Sequence, residues 1–223
     1  MFFLFQTIFG KFSFVQIELK PNKMRDSYRV IASPKHIENP SKTSMEILRW
    51  LQENEIIENE KTDCLLSLKE TGYKPGKEYL KALKHDIDIE NLKVCGVEII
   101  SENEIFNLTS FTPLSETICP KCDLNRFKDI TPMQYHSEKI PKEQLDKFYV
   151  IFEKINNWKI NKKSELECPH CLKESPIEDY KIHNMQLSNF GIFFWNWPEF
   201  NQKFITNLPE ISGVQLETLV CHL

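Results

Sequence analysis

The chain has 223 residues, with 28 Lys and Arg against 32 Asp and Glu, a formal charge of −4. That balance excludes a polybasic nucleic-acid arm and an acidic tail, and the halves 1–111 and 112–223 carry the same −2 each. Six glycines, no three of them close together, exclude a phosphate-cradling loop. A chain of this length buries roughly 70% of its unfolded surface, enough for a full core.

The N-terminus opens on an apolar run, Met1 to Gly10, ended by Lys11. It is about half the length needed to span a bilayer, and it lacks the charged and small-residue flanks of a cleaved leader. It reads as a first core strand continuing to Glu18. Tyr28–Ala32 predicts a second strand, broken by Pro34 and Pro40. Thr43 or Ser44 then caps a helix whose apolar face is Ile47, Leu48, Trp50 and Leu51. Cys64–Leu68 reads as a buried strand, Gly72-Tyr73-Lys74-Pro75-Gly76 as a turn, and Lys77–Leu83 as a short helix. Val94–Ile100 and Ile105–Phe111 predict two strands of a hairpin.

Beyond Phe111 the character changes. Residues 112–181 hold two C-x-x-C pairs, several prolines and one amphipathic helix, with Pro141 at its start and Leu145, Phe148, Phe152 and Ile155 along one face. Core-like sequence then returns. Leu187–Trp197 reads as a strand, Pro198 starts a helix carrying Phe200, Phe204 and Leu208, and Val214–Val220 closes the chain as a strand. The expected architecture is α+β: a mixed sheet with packed helices, built from 1–111 and 182–223, with 112–181 inserted as a zinc-ribbon-like subdomain.

The insertion carries the strongest chemical signal. Cys119-Pro120-Lys121-Cys122 and Cys168-Pro169-His170-Cys171 are matched turns. Two residues between thiolates let one turn aim both sulfurs at a single ion, so two such turns complete a tetrahedron around a structural Zn2+. The 45 residues between the pairs exceed the usual spacing, and the amphipathic helix accounts for the excess at small entropic cost. A redox dithiol needs a long helix after the second cysteine, which Pro176 denies, and an iron–sulfur cluster suits the symmetric turns less well. His36-Ile37-Glu38 matches half of a zinc-deaminase signature, but Ile118 and Glu167 stand where that signature needs proline, and four thiolates leave no site for water. Cys64, Cys95 and Cys221 lie in apolar runs and read as core residues. Two C-x-x-C pairs in an odd total of seven cysteines fit a reducing cytoplasm.

Three weaker constellations remain. Asp86, Asp88 and Glu90 place carboxylates on alternate residues, which reads as an exposed segment with Ile87 and Ile89 turned inward. Lys154, Lys159, Lys162 and Lys163 surround Trp158, as a phosphate-tracking ribbon would, although the even charge balance argues against nucleic acid as the partner. Phe190–Phe200 concentrates aromatics and reads as core, since such a patch left exposed invites aggregation.

The order of parts, with Gly72-Tyr73-Lys74-Pro75-Gly76 ahead of the cysteine insertion and Phe194-Trp195-Asn196-Trp197-Pro198-Glu199-Phe200 after it, resembles small uncharacterised bacterial proteins. Some of these accompany secreted polymorphic toxins as candidate immunity proteins. The resemblance implies a non-enzymatic cytoplasmic inhibitor whose partner is a protein, a cognate toxin or effector, with no membrane role. A zinc-ribbon nucleic-acid-binding or regulatory protein is the alternative, and a small enzyme with an unrecognised site the second.

Overall fold

The structure is a computed structural model that describes residues 27–67, 71–106, 116–127, 142–182 and 185–222. The expected N-terminal strand lies outside them. The main sheet is assembled from strands β1 (Ser27–Ala32), β2 (Ile57–Asp63), β3 (Thr71–Pro75) and β4 (Gly96–Ile100) of the first part of the chain. The last part adds β11 (Gly191–Trp195) and β12 (Glu217–His222), and the order is β12-β1-β11-β4-β3-β2. The class is α+β as expected, but every pairing in this sheet is antiparallel rather than mixed.

Strand alternation sorts the side chains onto two faces. Ile31, Val97, Ile192 and Phe194 share one cluster with α1 (Pro40–Glu53) and α3 (Gln202–Ser212), which contribute Ile47, Leu51, Phe204 and Leu208. Tyr28, Val30 and Trp195 face the other way, with Phe106. The aromatic run is therefore core: Phe190, Ile192 and Phe194 are completely buried.

Several boundaries differ from expectation, each for a local reason. Pro40 does not end a loop but begins α1, because the first helical position needs no N–H. The expected cap at Thr43 is replaced by Asn39, whose carbonyl accepts the Thr43 N–H at 3.1 Å. Cys64–Ser67, the described part of the expected buried strand, is no strand, since β2 ends at Asp63. Its sequence, IENEKTD, is too charged to read as buried, and as an outer strand it is not. Gly72–Pro75 belongs to β3 rather than to a turn. Gly72 is there for close approach, as a Cβ would lie 2.7 Å from the Val97 carbonyl oxygen and 2.6 Å from Leu65. The helix expected over Lys77–Leu83 is a 3-10 turn at Tyr79–Ala82.

The expected hairpin does not form either. β5 (Glu104–Phe106) pairs with β10 (Gln186–Ser188), not with β4. Between them buried Asn103 donates to the Trp158 carbonyl at 3.1 Å and draws the chain out of the main sheet. Leu187–Trp197 is likewise split into β10 and β11, because Asn189 exchanges two hydrogen bonds with the backbone of Ile37 at 2.9 and 2.8 Å. The last helix starts at Gln202, not Pro198, where the Asn201 side chain accepts the Phe204 N–H at 2.8 Å.

The insertion has a second cluster. In α2 (Lys142–Asn161), Ile151, Ile155 and Trp158 are buried, with Phe148 and Phe152 partly so. They pack on β6 (Thr117–Ile118), β7 (Glu165–Glu167), β8 (Glu174–Pro176) and β9 (Lys181–Ile182), where β6 pairs with β9 and β7 with β8. Met185 and Leu187 join this cluster from the far side of the insertion. No helix among the described residues is long and apolar enough to cross a membrane.

Candidate metal centre

Each cysteine pair sits at the tip of a short turn, and the two turns share one local geometry. In the first, the Cys119 carbonyl accepts the Asp123 N–H at 3.0 Å and the Cys119 N–H donates to Leu124 at 3.1 Å. In the second, the Cys168 carbonyl accepts the Leu172 N–H at 2.9 Å and the Cys168 N–H donates to Lys173 at 3.0 Å. Asp123 and Leu172 both take left-handed backbone, φ 55° and 58°. The first sulfur of each turn accepts a backbone N–H at 3.4 Å, from Lys121 and His170 respectively. These amides are aimed where thiolate charge would develop.

The turns face each other so that all four sulfurs lie within 4.8 Å of one another. Cys119 and Cys171 approach to 3.9 Å, Cys122 and Cys168 to 3.7 Å. Metal–sulfur bonds of about 2.3 Å at tetrahedral angles separate sulfurs by about 3.8 Å, whereas a disulfide requires about 2.05 Å. The four cysteines singled out by spacing are thus brought together in a geometry that could hold one metal ion. Burial opposes ionisation of Cys119, but the Lys121 and Cys122 amides and the neighbouring thiols outweigh it and bring the group down to about 7. The Cys122 thiol moves up to about 12: the Leu124 amide favours its charge, but desolvation and the adjoining sulfurs prevail. One cation held among the four sulfurs would neutralise several thiolates at once.

Side chains that the spacing did not single out fasten the turns together. His170 Nε2 donates to the Asn125 carbonyl at 3.1 Å, and Arg126 Nη1 donates to the Glu167 carbonyl at 2.8 Å, so each turn reaches across to the other. The Asn125 Oδ1 accepts the Thr117 and Phe127 N–H groups, both at 3.0 Å. The buried Tyr180 hydroxyl donates to Leu166 at 2.8 Å, and burial beside the Cys119 and Cys168 sulfurs pushes its phenol up. The one sequence signal for these roles was a histidine inside the second pair.

Leu172 combines left-handed backbone with 73% exposure, a place where glycine carries no penalty. Leu172→Gly is expected to raise the stability of the metal-loaded protein by about 0.5 kcal/mol, and Leu172→Val to lower it by a similar amount. Thermal unfolding at saturating metal checks both signs.

The remaining candidates are not joined to this centre. The His36 ring stands edge-on to Trp158 with centroids 6.4 Å apart, and Glu38 is exposed. Asp88 accepts the Glu90 N–H at 3.0 Å in a local turn; Ile89 is buried there, but Ile87 is exposed. Trp158, expected among lysines as a stacking surface, is completely buried and offers no face to a base. Lys159 pairs with Glu104. Cys64 and Cys95 are buried, and desolvation drives the Cys95 thiol up to about 12. The side chain of Cys221 lies outside the described residues. No protein-family model, curated protein or solved structure matches the chain.

Proposed function

We propose that the chain is a non-enzymatic protein-binding module of the immunity type, which neutralises a bacterial toxin in the cytoplasm and uses a structural zinc ion to hold its inserted ribbon. The observation that carries the metal half is the pair of sulfur separations, 3.9 and 3.7 Å, between matched turns. With four thiolates the ion has a closed shell, and its work is to fix the fold. The inhibitor half rests on the resemblance of the Gly72–Gly76 and Phe194–Phe200 segments and their order along the chain. In the structure these segments form β3 and the aromatic core. Burial of Trp158 removes support from the nucleic-acid alternative.

Elemental analysis with native mass spectrometry is expected to find one zinc per chain; iron, or no metal, overturns the assignment. For the inhibitor half, a protein that co-purifies with the chain from its native host should arrest growth when expressed alone. Co-expression of the chain should restore growth. A co-purifying protein without toxicity rules this role out.

A further inference from the structure

The two edges of the six-stranded sheet differ in kind. On one, β2 carries Glu58, Glu60, Lys61 and Asp63, and its pairing with β3 shifts register between Ile57 and Lys61. Charge and irregularity of this sort keep an outer strand from pairing further. The other edge has neither. β12 pairs with β1 in unbroken register from Glu217 to His222 and has no other neighbour among the described residues. It holds one carboxylate, Glu217, at its first position. Leu219, which joins the cluster of Tyr28, Val30 and Trp195, is only partly buried there. A regular, nearly uncharged outer strand is a template for one more strand.

The chain itself supplies a matching segment. Twenty-six residues precede Ser27, the first residue of β1, and the register partner of Ser27 is His222, the last residue of β12. A chain that leads into β1 therefore arrives at the His222 end of β12. Residues 19–26 include Pro21, Asn22 and Asp26, which suit a connection. Eight residues reach about 26 Å, against about 10 Å for the two strand spacings from β1 to the far side of β12. Before them stand Phe12, Phe14, Val15 and Ile17, set among Ser13, Gln16 and Glu18. Aromatic and β-branched residues favour a strand, and seven residues span about 23 Å beside the roughly 20 Å of β12. Alternation along a strand would put Phe12 and Phe14 on one side and Val15 and Ile17 on the other. Apolar groups on both sides are what a sheet with a core cluster on each face requires.

We infer that residues 12–18 dock along the outer edge of β12 as a seventh strand, entering at its Glu217 end and leaving at its His222 end. The tether selects this occupant. A connection of eight residues holds the segment at an effective concentration in the millimolar range, which neither a second copy nor a separate protein matches in dilute solution. The inference stands apart from the protein-binding reading and holds or fails without it.

Isotope-edited NMR of the full chain, purified with zinc, tests it. Backbone contacts between 12–18 and 217–222 are expected within one chain, and the amides on both sides of β12 should exchange slowly. In Val15→Pro/Ile17→Pro, which cannot keep the ladder, the β12 amides that point away from β1 should exchange at least about tenfold faster, while those of β4 and β11 hold their rates. Should that variant fail to fold, the contacts in the unaltered chain decide the matter. Contacts from 12–18 to any other element, or outward β12 amides that exchange freely in the unaltered chain, overturn the inference. Contacts seen only between differently labelled chains assign the edge to a second copy and overturn it as well. So does protection of the β12 edge that appears only when another protein is bound.

Discussion

Cys168→Ser is expected to abolish stoichiometric zinc binding and to unfold the ribbon around it. Cys168 is 1% exposed, its carbonyl and N–H close the second turn, and its sulfur stands 3.7 Å from Cys122. A serine oxygen is a poor zinc ligand and cannot reach a sulfur's bond length. Binding of a structural zinc amounts to about 10–16 kcal/mol at neutral pH, and because the site exists only in the folded chain this is folding free energy. Amides of β6, β7, β8 and β9 should therefore collapse toward random-coil shifts in the variant, while those of β1, β4 and β11, which pack in other clusters, should keep their positions. Cys95→Ala is the control, since Cys95 is buried in the main core and touches no ligand. Retention of one zinc by the serine variant, or its loss from the Cys95 control, would show that the ion sits elsewhere.

Phe194→Ala should cost about 3–5 kcal/mol, a large share of the 5–15 kcal/mol that a domain of this kind possesses. Phe194 is fully buried in β11, and its ring centroid lies 4.7 Å from that of Phe200, 5.4 Å from Trp197 and 6.0 Å from Phe204. Truncation removes apolar area and leaves a cavity whose aromatic walls, Trp197 and Phe200 from the connection after β11 and Phe204 from α3, cannot close over it. A lower urea midpoint at unchanged slope is the expected reading. A loss below about 1 kcal/mol would mean that the cluster is loosely packed.

Different physical signals made parts of this molecule readable in its sequence. The convergence of the four cysteines was legible because two-residue spacing is what a single metal ion would demand of each turn, whatever fold carries it. The amphipathic face of α2 was legible because burial writes a period into sequence, and β1 and β11 because they are short, mostly apolar runs. β2 was not, because an outer strand with charges on both sides has no apolar period to find. Nor was the strand at Gly72–Pro75, because the same residues that favour turns also permit the close approach to Val97 seen here. The breaks at Asn103 and Asn189 escaped for a different reason. Both are made by one side chain binding backbone 55 and 152 positions away, and no local window contains the partner.

The place of β1 in the sheet sets a timetable for folding. Its two neighbours, β11 and β12, are the last strands of the described chain, and the hydrogen bond from the Ser27 N–H to Asn196 spans 169 positions. A ribosome making this chain must therefore hold β1 with both edges open until β11 and β12 have emerged, and pairings this remote form slowly. A metal ion bound by the four cysteines would shorten the wait. Once Cys119 to Cys171 are tied to one ion, some fifty residues of the intervening loop no longer count toward its closure. Metal supply would then govern how fast the main sheet assembles, although no ligand lies within it.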